Sequence, residues 1–156
     1  MDNIIRLIAA TDRLGRRVIP IGSERKDRYV GIFYFLWLGQ HVKKDTEIYD
    51  NTKLLKSSPE LLWDTAGNKA SPVGEYHFWG EPLFGYYNSL DEWVMRRHIK
   101  MLTLAGVDFL VFDTTNAVTY DAVWEKLFAI LEEYRLAGWD VPKIAFYTNT
   151  ASGRTV

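Results

Sequence analysis

Apolar positions along the chain fall into two kinds of run, and their alternation sets the expected order of elements. Gly106-Val107-Asp108-Phe109-Leu110-Val111-Phe112-Asp113-Thr114-Thr115-Asn116 opens on a glycine, continues as a short β-forming apolar run, and stops at short polar side chains. That pattern predicts a parallel strand buried on both faces, which delivers polar groups at its C-terminal end. Tyr29-Val30-Gly31-Ile32-Phe33-Tyr34-Phe35-Leu36-Trp37-Leu38-Gly39 is continuously apolar and aromatic and predicts a first strand of the same kind. Lys143-Ile144-Ala145-Phe146-Tyr147, which stops at Thr148-Asn149-Thr150, predicts a third.

Helical periodicity separates these strands. Ser89-Leu90-Asp91-Glu92 reads as a capping box, with the Ser89 hydroxyl accepting from the amide near Glu92 and Glu92 reaching back. The helix then runs to about Ala105, with Leu90, Val94, Met101, Leu102 and Ala105 on one face and Gly106 as its left-handed cap. A second helix is expected from near Thr119, with Asp121 in its first turn, an apolar stripe of Trp124, Leu127, Phe128, Leu131 and Tyr134, and Gly138 at its end. Residues 40–88 read as a long connection broken by Gly and Pro, with one short helical candidate at Pro59 to Trp63. Connections of this length are either functional or disordered. Tyr49, Trp63, Tyr76, Phe78, Trp79, Phe84, Tyr86 and Tyr87 favour an ordered excursion, because disordered segments are poor in aromatics. Residues 1–28 form a mixed lead-in: Asn3 to Ala10 reads as a short helix or strand, and Asp12 to Arg17 as a turn. Ala151 to Val156 carries no clear element.

Strand, long loop, helix, strand, helix, strand is the order of an α/β fold with a parallel sheet and right-handed crossovers. Such a sheet gathers all its strand C-termini at one edge. That edge would collect Trp37, His41, the 40–88 excursion, Asp113 to Asn116, and Tyr147 to Asn149.

Composition narrows the chemistry. A chain of 156 residues is long enough for one core, and a net charge of −1 argues against nucleic acid or an anionic membrane surface as main partner. The absence of Cys excludes disulfides and thiolate metal sites. No apolar stretch reaches the roughly 18 residues that span a bilayer. Ile4 to Ala10, broken by Arg6, is a poor signal peptide, and the compartment stays open. Nucleotide, zincin and serine-hydrolase motifs are missing. His41, His77 and His98 lack ligand-like spacing, so neither metal nor cofactor is expected. His98, beside Arg96 and Arg97, reads as an exposed or packing residue.

Six Trp, nine Tyr and eight Phe, many outside periodic segments, are what stand out. Taken singly, Trp37, Trp79, Tyr86 and Tyr87 suit a minor core beneath the loop. Gathered at the sheet edge they suit stacking against sugar faces, with carboxylates and amides on the hydroxyls. Asp113 has two readings, as a cap for loop amides or as a hydroxyl-binding or acid–base group. Asn116 and Asn149 are turn formers or site amides, and Glu75 and Glu81 are salt-bridge partners or sugar ligands.

Several of these residues also carry a family resemblance. Gly31 to Gly39 resembles the opening strand of glycoside hydrolase families 71 and 99, an aromatic run ending in a Trp-x-Gly-like turn. Pro82-Leu83-Phe84-Gly85-Tyr86-Tyr87-Asn88-Ser89-Leu90-Asp91 is similar to their loop into the first helix, which carries a histidine like His98. Gly106 to Asp113 resembles their next strand, whereas His77-Phe78-Trp79-Gly80-Glu81 departs from the pattern. The likeness covers about residues 29–150. It implies a (β/α)8 barrel cleaving α-linked glycans, as endo-α-mannosidases and α-1,3-glucanases do, with the catalytic acids on later strands. A complete barrel needs about 250 residues, so residues 29–156 would be the N-terminal portion of one, completed by the remainder of the barrel. The pair of carboxyls that flanks a scissile glycosidic bond, about 5 to 10 Å apart, has no counterpart here. The chain alone is therefore expected to bind oligo- or polysaccharide without cleaving it, through Trp37, His41, Trp79, Glu81, Asp113, Asn116, Tyr147 and Asn149. The rival readings are a non-catalytic carbohydrate-binding α/β domain and an unrelated small α/β ligand-binding domain with covered sheet edges.

Overall fold

Buried backbone N–H and C=O groups must find partners, and here helices and a short parallel sheet supply them. The computed structural model describes residues 9–18, 27–37 and 48–154. In chain order these form β1 (Ala10–Thr11), β2 (Arg17–Val18), β3 (Gly31–Phe33), β4 (Tyr49–Asp50), α1 (Asn51–Ser57), β5 (His77–Phe78), α2 (Glu92–Leu104), β6 (Phe109–Asp113), α3 (Asp121–Leu136) and β7 (Lys143–Tyr147). Short 3-10 turns lie at Pro59–Leu62 and Ser152–Arg154. The main sheet has the order β3-β6-β7, all parallel, with Ile32 opposite Leu110 and Leu110 opposite Ile144. The chain is thus a mixed α/β fold with a three-stranded parallel sheet and three helices.

The sheet is covered on one face. Leu110 and Phe112 of β6 are fully buried among Met95 and Ile99 of α2 and Val123, Leu127, Ile130 and Leu131 of α3. Ile32, Tyr34 and Ile144 pack against the same cluster. Side chains alternate along a strand, so Phe33, Val111, Asp113, Ala145 and Tyr147 stand on the other face. Phe33 and Tyr147 remain 53% and 54% exposed there. This corrects the expectation of strands buried on both faces: among the described residues no layer covers the second face. A continuous apolar run cannot distinguish a two-sided core from a core plus a bare aromatic face.

The first strand is shorter than the 29–39 run predicts. Its ladder extends only where β6 offers partners, with Val30 C=O accepting from Asp108 N–H at 2.8 Å and Tyr34 N–H donating to Val111 O at 2.9 Å. Residues 38–39 lie outside the described part. Gly31 earns its place by contact: a Cβ there would sit 2.3 Å from the Phe109 ring, which lies over β3.

The first long helix starts later than the capping box predicts. The Asn88 side chain accepts from Leu90 N–H at 2.8 Å and its carbonyl accepts from Asp91 N–H, which closes a turn through Ser89. Asp91 then caps α2 by accepting from Val94 N–H at 3.1 Å. The buried face is Val94, Met95 and Ile99, while Leu90 and Met101 of the predicted face are 36% and 45% exposed. Gly106, at φ +73°, does provide the left-handed exit.

The second long helix closely follows its apolar stripe, with Val123 and Ile130 added to the buried set. Within 40–88, Pro59–Leu62 is helical as expected, but α1 and the parallel pairing of β4 with β5 were not legible. Seven residues reading Asn-Thr-Lys-Leu-Leu-Lys-Ser hold too little periodicity to announce a helix. The expected turn at Asp12 to Arg17 closes the β1–β2 hairpin, where Asp12 accepts from the amides of Leu14 and Arg16. The tail, expected to be irregular, carries the 3-10 turn at Ser152–Arg154.

Candidate functional site

Parallel strands bring their C-terminal ends together, and here β3, β6 and β7 deliver aromatic rings and short polar side chains to one rim. Tyr147 meets Phe33 edge-on at 5.8 Å between centroids. Thr114 buries its hydroxyl by donating to Tyr147 C=O at 3.0 Å, which locks the β6 turn to β7. Asp113 accepts from the amide and hydroxyl of Thr115 at 3.1 and 2.8 Å through one oxygen, so its carboxylate is held in a fixed direction at the strand end. Asn149 accepts from the amides of Ala151 and Ser152 and donates to Thr115 C=O at 2.7 Å, tying the two rim loops together. Asn116 accepts from Val118 N–H in a turn of its own. The β6–α3 loop also holds Ala117 and Tyr120 in left-handed backbone conformations, at φ +60° and +54°, which cost non-glycine residues on the order of 1 kcal/mol or more each.

From the rim an unbroken run of rings leads into the excursion: Phe33 stacks on Phe35, Phe35 meets Trp37, Trp37 meets Tyr76, Tyr76 meets Phe78, and Phe78 meets Tyr86. Tyr86 ends the run by donating its hydroxyl to Asp50. Asp50 is buried and also caps α1, accepting from Thr52 and Lys53 amides at 2.8 and 3.2 Å. These hydrogen bonds, led by the one from Tyr86, hold its carboxyl below the usual carboxylate range, and burial with the neighbouring Asp50 raises the Tyr86 phenol.

The predicted site residues separate accordingly. Asp113, Asn116, Tyr147 and Asn149 share the rim, and Trp37 joins it through Phe35. Trp79 is 80% exposed, with its carbonyl on the Thr52 hydroxyl, and Glu81 pairs with Lys53 at 3.4 Å, so both are held beside α1. His41 lies outside the described residues. His77 spends both ring nitrogens on turn closure: Nδ1 lies 2.9 Å from Glu75 C=O, and Nε2 lies 2.9 Å from the Ser71 hydroxyl. A carbonyl only accepts, so Nδ1 carries the proton and Nε2 takes the Ser71 hydrogen. Among the described residues no cluster of His, Asp and Glu is placed to hold a metal ion, and no helix is long and apolar enough to cross a membrane.

Phe33, Tyr34 and Phe35 belong to the predicted first strand but not to the predicted site residues, and their alternation divides two environments. Phe33 and Phe35 belong to the bare face, whereas Tyr34 turns inward and shares a 3.1 Å hydrogen bond with Nδ1 of His98. Burial pushes the Tyr34 phenol up and the His98 imidazole down from their ordinary values, so both are neutral at neutral pH. Beside them, between the end of β3 and α2, lies a cavity of about 200 Å³. The period-two alternation of an aromatic strand was the available signal for this division. Compared with family models, curated proteins and solved structures, the chain matches none of them.

Proposed function

We propose that the chain supplies the sugar-binding wall of a glycoside-hydrolase-type (β/α)8 barrel acting on α-linked glycans, and that the catalytic carboxylate pair comes from outside this chain. The observation that carries the proposal is the winding. Strands β3, β6 and β7 follow one another in a single direction, with α2 and α3 on one face and the other face bare. A doubly wound sheet reverses its strand order and takes helices on both faces, whereas one-directional winding curls into a barrel with its site at the strand C-termini. The bare face carries Phe33, Phe35 and Tyr147, whose flat rings suit the C–H faces of pyranoses, and Asp113 and Asn149 stand beside them for hydroxyls. The glycan class comes from the resemblance of residues 29–150 to families 71 and 99.

A sugar-binding domain without chemistry is the second reading. It is favoured because the two predicted carboxylates, Asp113 and Glu81, are held by different partners, Thr115 and Lys53. One titration serves both readings. Adding α-1,3-linked gluco-oligosaccharides or α-linked manno-oligosaccharides to the chain should produce saturable shifts of the Asp113, Tyr147 and Asn149 amides and release no reducing sugar. Saturation shared equally by β-linked gluco-oligosaccharides, or the absence of any shift on the rim, refutes the glycan reading. Turnover when the chain is joined to a complementing barrel segment separates the enzyme from the binding domain.

A further inference from the structure

We propose that the cavity between the end of β3, the turn at residues 87–91 and the first half of α2 is a second binding pocket, one that takes a single uncharged pyranose ring. The proposal relies on the glycan reading above only for the identity of the ring. The pocket adjoins the bare face and shares the Phe33 and Phe35 rings with it, but Asp113, Tyr147 and Asn149 are not in its lining.

Size sets the first limit. Sites for drug-sized ligands run from about 300 Å³ upward, and this cavity, at about 200 Å³, suits one ring. Chemistry sets the second. The Phe33, Phe35 and Tyr87 rings and the Val94 and Met95 side chains make its walls largely apolar. Asn88, Ser89, Asp91 and His98 are the polar side chains of its lining besides Tyr34. A pyranose presents this same combination of apolar C–H faces and an equatorial belt of hydroxyls. Charge sets the third. Asp91 is the charged side chain among the lining residues, and no lysine or arginine of the described residues joins it. Asp91 is anchored by accepting from Val94 N–H at 3.1 Å, so it cannot turn away, and a phosphorylated or acidic sugar would meet a fixed negative charge. His98 offers no compensating positive charge, because burial keeps it neutral and Tyr34 holds its Nδ1.

The test uses the whole chain, titrated with methyl α-mannopyranoside, methyl α-glucopyranoside and a hexose phosphate, with the His98 and Tyr34 ring resonances as reporters. A methyl pyranoside should saturate in the millimolar range and move the His98 ring, and the hexose phosphate should bind at least about tenfold more weakly, a difference of about 1.4 kcal/mol. Ser89→Trp, which places a large ring in the lining, should abolish these shifts while leaving the Tyr147 and Asn149 amides in place. Asp91→Asn keeps a capping side chain on α2 and should relax the discrimination against the phosphate. Failure of any pyranoside to saturate, a His98 ring unmoved at saturation, equal binding of the phosphate, an unchanged affinity in S89W, or undiminished discrimination in D91N overturns the proposal. The open-face reading is judged separately by oligosaccharide shifts at Tyr147 and Asn149, so either can fail alone.

Discussion

One sheet shows two unlike faces. On the helix side Leu110 and Phe112 are fully buried, with the Phe112 ring stacked on Phe128 and tilted against Tyr34. On the other side, one residue along each strand, Phe33, Phe35 and Tyr147 keep 42 to 54% of their surface in contact with solvent. Both faces carry large aromatic side chains, so the presence of rings does not separate them. Register and winding do. Crossovers through α2 and α3 place both helices on one side of strands that advance in one direction, and a cluster of large exposed rings on the other side marks a surface shaped for contact.

The difference is broken most severely from the buried side. Phe112→Ala should cost about 3–5 kcal/mol in urea denaturation, whereas Phe33→Ala on the bare face should stay within about 1 kcal/mol. A similar loss at both positions would mean that the second face is covered. Gly31→Ala comes next, at about 1–3 kcal/mol, because its Cβ would meet the Phe109 ring at 2.3 Å. Tyr147→Ala should leave stability nearly intact and weaken oligosaccharide binding by up to about tenfold, the value of one good ring contact. Affinity unchanged in that variant removes the bare face from the binding argument.

Acid sharpens the contrast between the sheet and the excursion. A carboxyl whose folded value lies below its unfolded one, near 3.8 for Asp50, contributes stability that is complete above that value and lost as pH falls through the depressed folded one. Tyr86 should therefore detach from Asp50 in acid while the sheet, which has no buried carboxylate in its core, persists. Acid titration followed by tryptophan fluorescence should show a step below the ordinary carboxylate range that Asp50→Asn removes. A step of the same size in the variant assigns it elsewhere. The smallest effect belongs to Glu133→Gln on the exposed outer surface. Glu133 and Arg96 pair at 2.7 Å, but solvent screens them, and denaturation should barely register the change.

Much of this was written locally. Lys143 to Tyr147 is a strand where the sequence places one, α3 follows its stripe, and Gly106 and Gly138 end helices in left-handed conformations, at φ +73° and +85°. These features depend on period, propensity and the lack of a Cβ, which a chain carries with it. The start of α2 was less legible because Ser89 and Asp91 are both good caps, and the choice fell to Asn88, which drew the intervening amides into a turn. The rim was legible as a list of strand-end residues, but its cross-ties, such as Asn149 to Thr115, join residues 34 apart. The run of rings from Phe33 to Tyr86 likewise crosses most of the excursion.

Sequence alone therefore determined the existence of the three main-sheet strands and the two long helices and the parallel order of those strands, since alternation and periodicity are properties of neighbouring residues. Only tertiary structure decided that one sheet face is packed and the other bare, and that Tyr34 points inward to His98 while Phe33 and Phe35 point out. Exposure depends on what the crossovers bring overhead, and that is set by contacts between residues far apart along the chain.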